Sequence, residues 1–193
     1  MLNLATRTRT ALLLVAALLT AVAIRLPLWG MTLVSTQYPE GLRMVVYPNR
    51  IVGDIHELNA LNHYVGMMPI SDAFFTELRY LPAAFAIVAL ALAGAAFVRR
   101  RWAVILPMAL MAALGVYGLV SMRHRLWQFG HELDPAAAID IAPFTPAMVG
   151  RHEIAQFAGY SYFTWGTFLP IAAGMLAMLV LASDFRRTAA DHA

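Results

Sequence analysis

Between Gly53 and Met68 the chain reads GDIHELNALNHYVGMM, a run that gathers two histidines, two asparagines, two acids and two methionines in sixteen residues. His56, Asn59, His63 and Met67 are spaced by three, four and four, so on a helix they share one stripe. Asp54 followed by Glu57 three residues on has the form of a capping box, which predicts that this helix starts at Asp54. Imidazole and thioether together, in a chain with no cysteine, suit copper, and Cu(I) above all. One helix is not enough. His56 and His63 stand about 10 Å apart along a helix axis, so one ion would need donors from elsewhere.

A second polar stretch offers them. RHRLWQFGHELDP carries His124, His131 and Glu132, and GRHEIAQFAGYSYFTW carries His152 and Glu153. The candidate metal set is therefore His56, His63, Met67, His131 and His152, supported by Asp54, Glu57, Asn59 and Asn62. Of six histidines only His192, in the C-terminal tail, falls outside these two stretches. His-Glu-aliphatic recurs at His56, His131 and His152, but none extends to His-Glu-x-x-His, so a zincin protease is excluded on spacing. Asp54 with His56 could form a base pair and Ser71 or Ser161 a nucleophile, yet no Gly-x-Ser-x-Gly elbow and no phosphate-binding glycine loop occurs. The apolar stretches hold no histidine that could ligate a haem. No enzymatic motif stands out.

The elements that position these residues are membrane elements. The chain is 61% hydrophobic and 13% charged over 193 residues, with a mean hydropathy of +0.65, wrong for a soluble globule. Its net charge of +3 comes from arginine alone, with no basic stripe among exposed aromatics, so nucleic acid is not an expected partner. Four stretches, about Ala11–Gly30, Leu81–Val98, Ala103–Met122 and Gly166–Ala182, approach the roughly 20 residues a spanning helix needs. The first reads as an uncleaved signal anchor. Arg7, Arg9, Arg99, Arg100, Arg101, Arg186 and Arg187 then fall on one side, the positive-inside pattern, which predicts both termini in the cytoplasm of a bacterial inner membrane. Trp29, Trp127 and Trp165 mark the outer border and Trp102 the inner.

The expected architecture is an all-α membrane protein: four transmembrane helices, with an outward-facing cap containing a short β-hairpin and helices. It would form one domain over residues 1–193, with outward loops 31–80 and 123–165 making a periplasmic cap. Leu42 to Tyr47, turned at Pro48-Asn49 and returning through Ile51-Val52, supplies the hairpin.

The segments YPEGL, VYPNRIVGD and HELNALNHYVGM, between Tyr38 and Met68, resemble small four-span membrane proteins encoded beside nitrous oxide reductase and its maturation factors. The resemblance covers about a sixth of the chain and implies proximity to copper-enzyme assembly. Two readings follow. In the first, a His/Met-rich platform handles copper or docks a periplasmic redox enzyme during its maturation. In the second, the protein is a small subunit of a respiratory membrane complex that contacts a quinol or a cytochrome.

Overall fold

Hydropathy marks where a helix is greasy, and the computed structural model, which describes residues 6–154 and 157–190, shows where each helix begins and ends. Among the described residues five α-helices form, α1 (Thr6–Ala23), α2 (Ile55–Tyr64), α3 (Leu81–Ala95), α4 (Arg101–His131) and α5 (Trp165–Ala190). Five strands accompany them, β1 (Trp29–Val34), β2 (Leu42–Val46), β3 (Ile51–Gly53), β4 (Gly150–Ile154) and β5 (Phe157–Phe163). The expected all-α class is thus overturned: the protein is mixed α/β, with an antiparallel sheet ordered β3-β2-β1-β5-β4. His192 lies outside the described residues.

The count of four spans is also corrected. Among the described residues three helices, α1, α4 and α5, are long and apolar enough to cross a membrane by length and composition. The second expected span is α3, whose 15 residues cover about 22 Å against a hydrocarbon thickness of about 30 Å. Pro82 in its first turn fixes the start, because a proline further inside would clash with the carbonyl four residues back. α3 nevertheless packs in the bundle against α1 and α4.

The first expected span also ends early. α1 stops at Ala23, and Trp29 and Gly30 enter β1 instead, the central strand of the sheet. α4 errs the other way. At 31 residues it spans about 46 Å and carries Arg123 to His131, expected as loop, into the cap as helix.

At one end of the bundle the arginines meet. Arg9, 4% exposed, donates to Asp184 and to the carbonyls of Ala95 and Val98, while Thr10 donates to Ala96 O. Arg99 reaches Thr6, and the Arg101 guanidinium lies 4.8 Å over the Phe185 ring. The buried guanidinium supplies donors to carbonyls that α3 leaves without intrahelical partners. The start of α1, the end of α3, the start of α4 and the end of α5 thus share one level.

The cap occupies the opposite end. The hairpin expected from Leu42 to Val52 is β2–β3, with Val45 opposite Val52 and Val46 opposite Ile51. β1 pairs with β2 on one side and β5 on the other, so the two outward stretches are joined in one sheet. Gly53, at φ +132°, ends β3 where a Cβ would strike the Arg43 carbonyl, a place only glycine fits. Trp29, expected in the interfacial belt, is buried in the sheet with Nε1 donating to Met148 O at 2.7 Å.

Two apolar cores result. One lies within the bundle around Leu13, Val88, Leu92, Val104 and Val180. The other fills the space between the inner sheet face, α2 and the upper part of α4, around Met31, Leu33, Met44, Leu58, Ile70 and Phe129.

Candidate functional site

The α2 stripe is divided by the fold rather than assembled by it. The helix ends at Tyr64, and Gly66 at φ +74° turns the chain away before Met67. Met67 and Met68 pack against the cap core. Asn59 clamps the returning strand of chain, donating to Ile70 O at 3.0 Å and accepting from Ile70 N at 2.6 Å. Asn62, buried, donates to Met68 O at 3.1 Å. The capping box does not form: Asp54 makes no side-chain cap and its carboxylate accepts from Arg43 N at 2.7 Å, stitching α2 onto β2. Pairing with the strand edge has claimed the side chain that local sequence assigned to the helix. Glu57, His56 and His63 are exposed.

The second-stretch candidates go elsewhere. His131 stacks on Trp127 with ring centroids 4.7 Å apart, and its Nδ1 lies 3.1 Å from Trp127 O. His152 sits on edge strand β4 opposite Gly159, whose missing side chain leaves room for the imidazole. The sheet puts β4 at the far edge from β3, the strand that leads into α2. The two stretches do meet, through Asp134 N to Gly66 O at 2.8 Å and Ile139 N to Tyr64 O at 3.0 Å, but they meet by backbone. Among the described residues no group of three or more His, Asp or Glu side chains is placed to share a metal ion. The histidines proposed for copper lie on three separate elements, α2, the end of α4 and β4.

His152 is instead a packed, isolated imidazole. Burial pushes its pKa below the usual 6.5, opposed in part by the Gly150 backbone, although neither ring nitrogen has a hydrogen bond of ordinary geometry among the described residues. The buried Ser161 Oγ, on the same sheet face, is likewise without a partner there.

What the fold does build is a cavity of about 1240 Å³ between bundle and cap. Its roof is the inner face of the sheet (Met31, Leu33, Met44, Phe157) and its side is α2 with Leu58 and Leu61. Below, it runs down between α4 and α5 past Gly115, Gly118 and Gly174 to Met178. Gly115 and Gly118 border open space: a Cβ at either would meet nothing within 4 Å. Phe168, Ile171 and Met178 on the rim are about half exposed, so the cavity opens on the flank of the bundle, at the level where lipid would lie. The start of α5 is locked beside it. Gly166 N donates to Pro27 O at 2.8 Å, Thr167 Oγ1 to Leu28 O at 2.8 Å, and Thr164 Oγ1 to Pro27 O.

Among the described residues only two charged ones line this space, Glu77 and Arg125, and they face each other. Arg125 Nε donates to Glu77 Oε1 at 3.2 Å and Nη2 to Oε2 at 3.0 Å, a two-point carboxylate grip. Ser121 Oγ donates to the same Oε1 at 2.6 Å, and Arg125 Nη1 reaches Gln128 Oε1 at 3.3 Å. The guanidinium also lies 4.6 Å over the Phe74 ring. Burial pushes the Glu77 carboxyl up, but hydrogen bonds from Arg125 and Ser121 and the Arg125 charge outweigh it, bringing the pKa from 4.5 to about 2. The carboxylate stays ionised at neutral pH.

Sequence reading did not find this pair. Glu77 lies in a single 3₁₀ turn (Thr76–Arg79) and Arg125 is 48 positions away on α4. The one available signal was that Ser121 and Arg125 are four apart on a continuous helix, which a reading of residues 123–131 as loop conceals.

Fold and cavity together define a mixed α/β protein with three helices fit to cross a membrane, a sheet-bearing cap, and an apolar chamber holding one ion pair. Comparison with protein families, with curated proteins and with solved structures returned no match.

Proposed function

We propose that this protein is a bilayer-embedded holder of a lipophilic molecule, which enters from the membrane between α4 and α5 and lodges its polar end beneath the cap. Of the two sequence readings this is the quinol-contacting one, a small membrane subunit rather than a copper platform. The observation that carries it is the cavity: about 1240 Å³, predominantly apolar, open on the bundle flank, with the only charges among its described lining residues paired. That exceeds the usual range of pockets for small ligands and fits a chain-bearing amphiphile. Among the described residues no histidine lines it, so the cavity suits holding or relaying a ligand more than proton-coupled chemistry on it.

In this reading the protein resides in a bacterial cytoplasmic membrane with the arginine-rich bundle end inside, as the positive-inside rule requires. The cap then faces the periplasm, where the resemblance to proteins encoded with nitrous oxide reductase would set it beside a redox enzyme.

The test is extraction of lipophiles from protein purified in nanodiscs, analysed by mass spectrometry, for wild type and Gly118→Trp. The indole would narrow the chamber between α4 and α5 without a clash at Cβ. One species enriched over the nanodisc lipid in wild type and lost in the folded variant is the expected result. No enrichment, or equal enrichment in both, removes the proposal.

A further inference from the structure

The charged end of the chamber has a further consequence, which rests on the ligand-holding reading above. An arginine in an apolar chamber ordinarily signals an anionic ligand such as a phosphate. Here that charge is already matched, because the Glu77 carboxylate takes two N–H groups of Arg125, with only 11% and 20% of the two side chains exposed. A phosphate brought to Arg125 would sit beside a fixed carboxylate in a weakly screened place, where like charges are strongly unfavourable.

Hydrogen-bonding capacity nonetheless remains. A guanidinium carries five N–H groups. Glu77 takes two and Gln128 a third, leaving two for an acceptor on the ligand. Ser121 Oγ spends its proton on Glu77 and keeps free lone pairs, so it can accept from a ligand donor. Ser121 lies one residue before Met122, the outer limit of the third apolar stretch, which is the depth where lipid heads sit.

We propose that the chamber selects an amphiphile with an uncharged hydroxyl or carbonyl head, such as a diacylglycerol or a quinol, and rejects anionic phospholipids, with Glu77 as the specificity-determining residue. Glu77 sets selectivity by neutralising Arg125, so removing its charge converts the same site into one for anions.

The experiment compares two lipids with identical tails, dioleoylglycerol and dioleoyl phosphatidic acid, binding to the full chain in detergent by native mass spectrometry. Wild type is expected to bind dioleoylglycerol about tenfold more tightly, and Glu77→Gln to reverse the order. Phosphatidic acid binding wild type as well as dioleoylglycerol would overturn the selectivity while leaving the chamber as a binding site. An unchanged ratio in folded Glu77→Gln would overturn the role of Glu77. Binding of neither lipid, with or without Gly118→Trp, would overturn both this inference and the reading beneath it. Should Glu77→Gln fail to fold, the wild-type ratio alone decides on selectivity.

Discussion

Arg125 holds Glu77 across 48 positions of sequence, with two N–H groups on two oxygens at 3.2 and 3.0 Å. That contact joins the upper end of α4 to the 3₁₀ turn before α3, and so ties cap to bundle at the wall of the chamber.

Its strength sets an acid limit on the fold. Because the folded pKa of Glu77, about 2, is below the ordinary 4.5, the contribution is complete above pH 4.5 and fades as pH falls toward 2. Glu77→Gln should lower stability by about 1–3 kcal/mol at neutral pH and flatten that acid limb. Thermal unfolding in detergent as a function of pH reads both effects; an unchanged limb would mean that the pair contributes nothing.

His152 governs a different window. An imidazole lowered by burial makes the unfolded chain the better proton acceptor, so its share of stability is intact above 6.5 and declines as pH drops below. His152→Leu should remove the decline between about pH 6.5 and the acid limb of Glu77, without altering that limb. If both proteins melt alike across the range, the half-buried imidazole is not what the protons reach.

Along α2, similar polar residues should differ sharply in effect. Asn59→Ala leaves the Ile70 amide and carbonyl without their partner and should cost about 1–3 kcal/mol. His56→Ala and His63→Ala remove exposed side chains and should stay within about 0.5 kcal/mol. The paired histidine variant should also bind Cu(I) no more weakly than wild type. A loss in that titration would restore the copper platform.

At the other end of the molecule Arg9, with its side chain 5% exposed, pairs with Asp184 and serves two carbonyls of the α3 end. Arg9→Leu removes the Arg9 contacts to the half-buried Asp184 carboxylate and the donors to Ala95 O and Val98 O, and should cost about 3–5 kcal/mol. Loss of the folded peak on gel filtration, or a large drop in melting temperature, is the expected reading.

The sequence by itself determined the apolar helices, the one-sided arginines and the β2–β3 hairpin, because hydropathy and turn chemistry act over neighbouring residues. Even there it misplaced ends. Trp29–Val34 is as apolar as a helix end, and nothing local tells a buried strand from a membrane span. α4 outruns its apolar stretch because hydropathy reports where a helix leaves lipid, while backbone hydrogen bonding continues to His131.

Tertiary structure alone decided the rest. β1 finds β5 with Trp29 opposite Phe163, and that register puts Met31, Met44 and Ser161 side by side on the chamber side of the sheet. The same pairing sends His152 to the far edge and leaves His56 and His63 exposed, so imidazoles alike in sequence stand on separate elements. The ion pair that took their place as the candidate centre depends on how a 3₁₀ turn and a long helix pack. Which donor meets which acceptor at such a separation is fixed by the burial of apolar surface between elements, a global quantity that no local pattern of residue types contains.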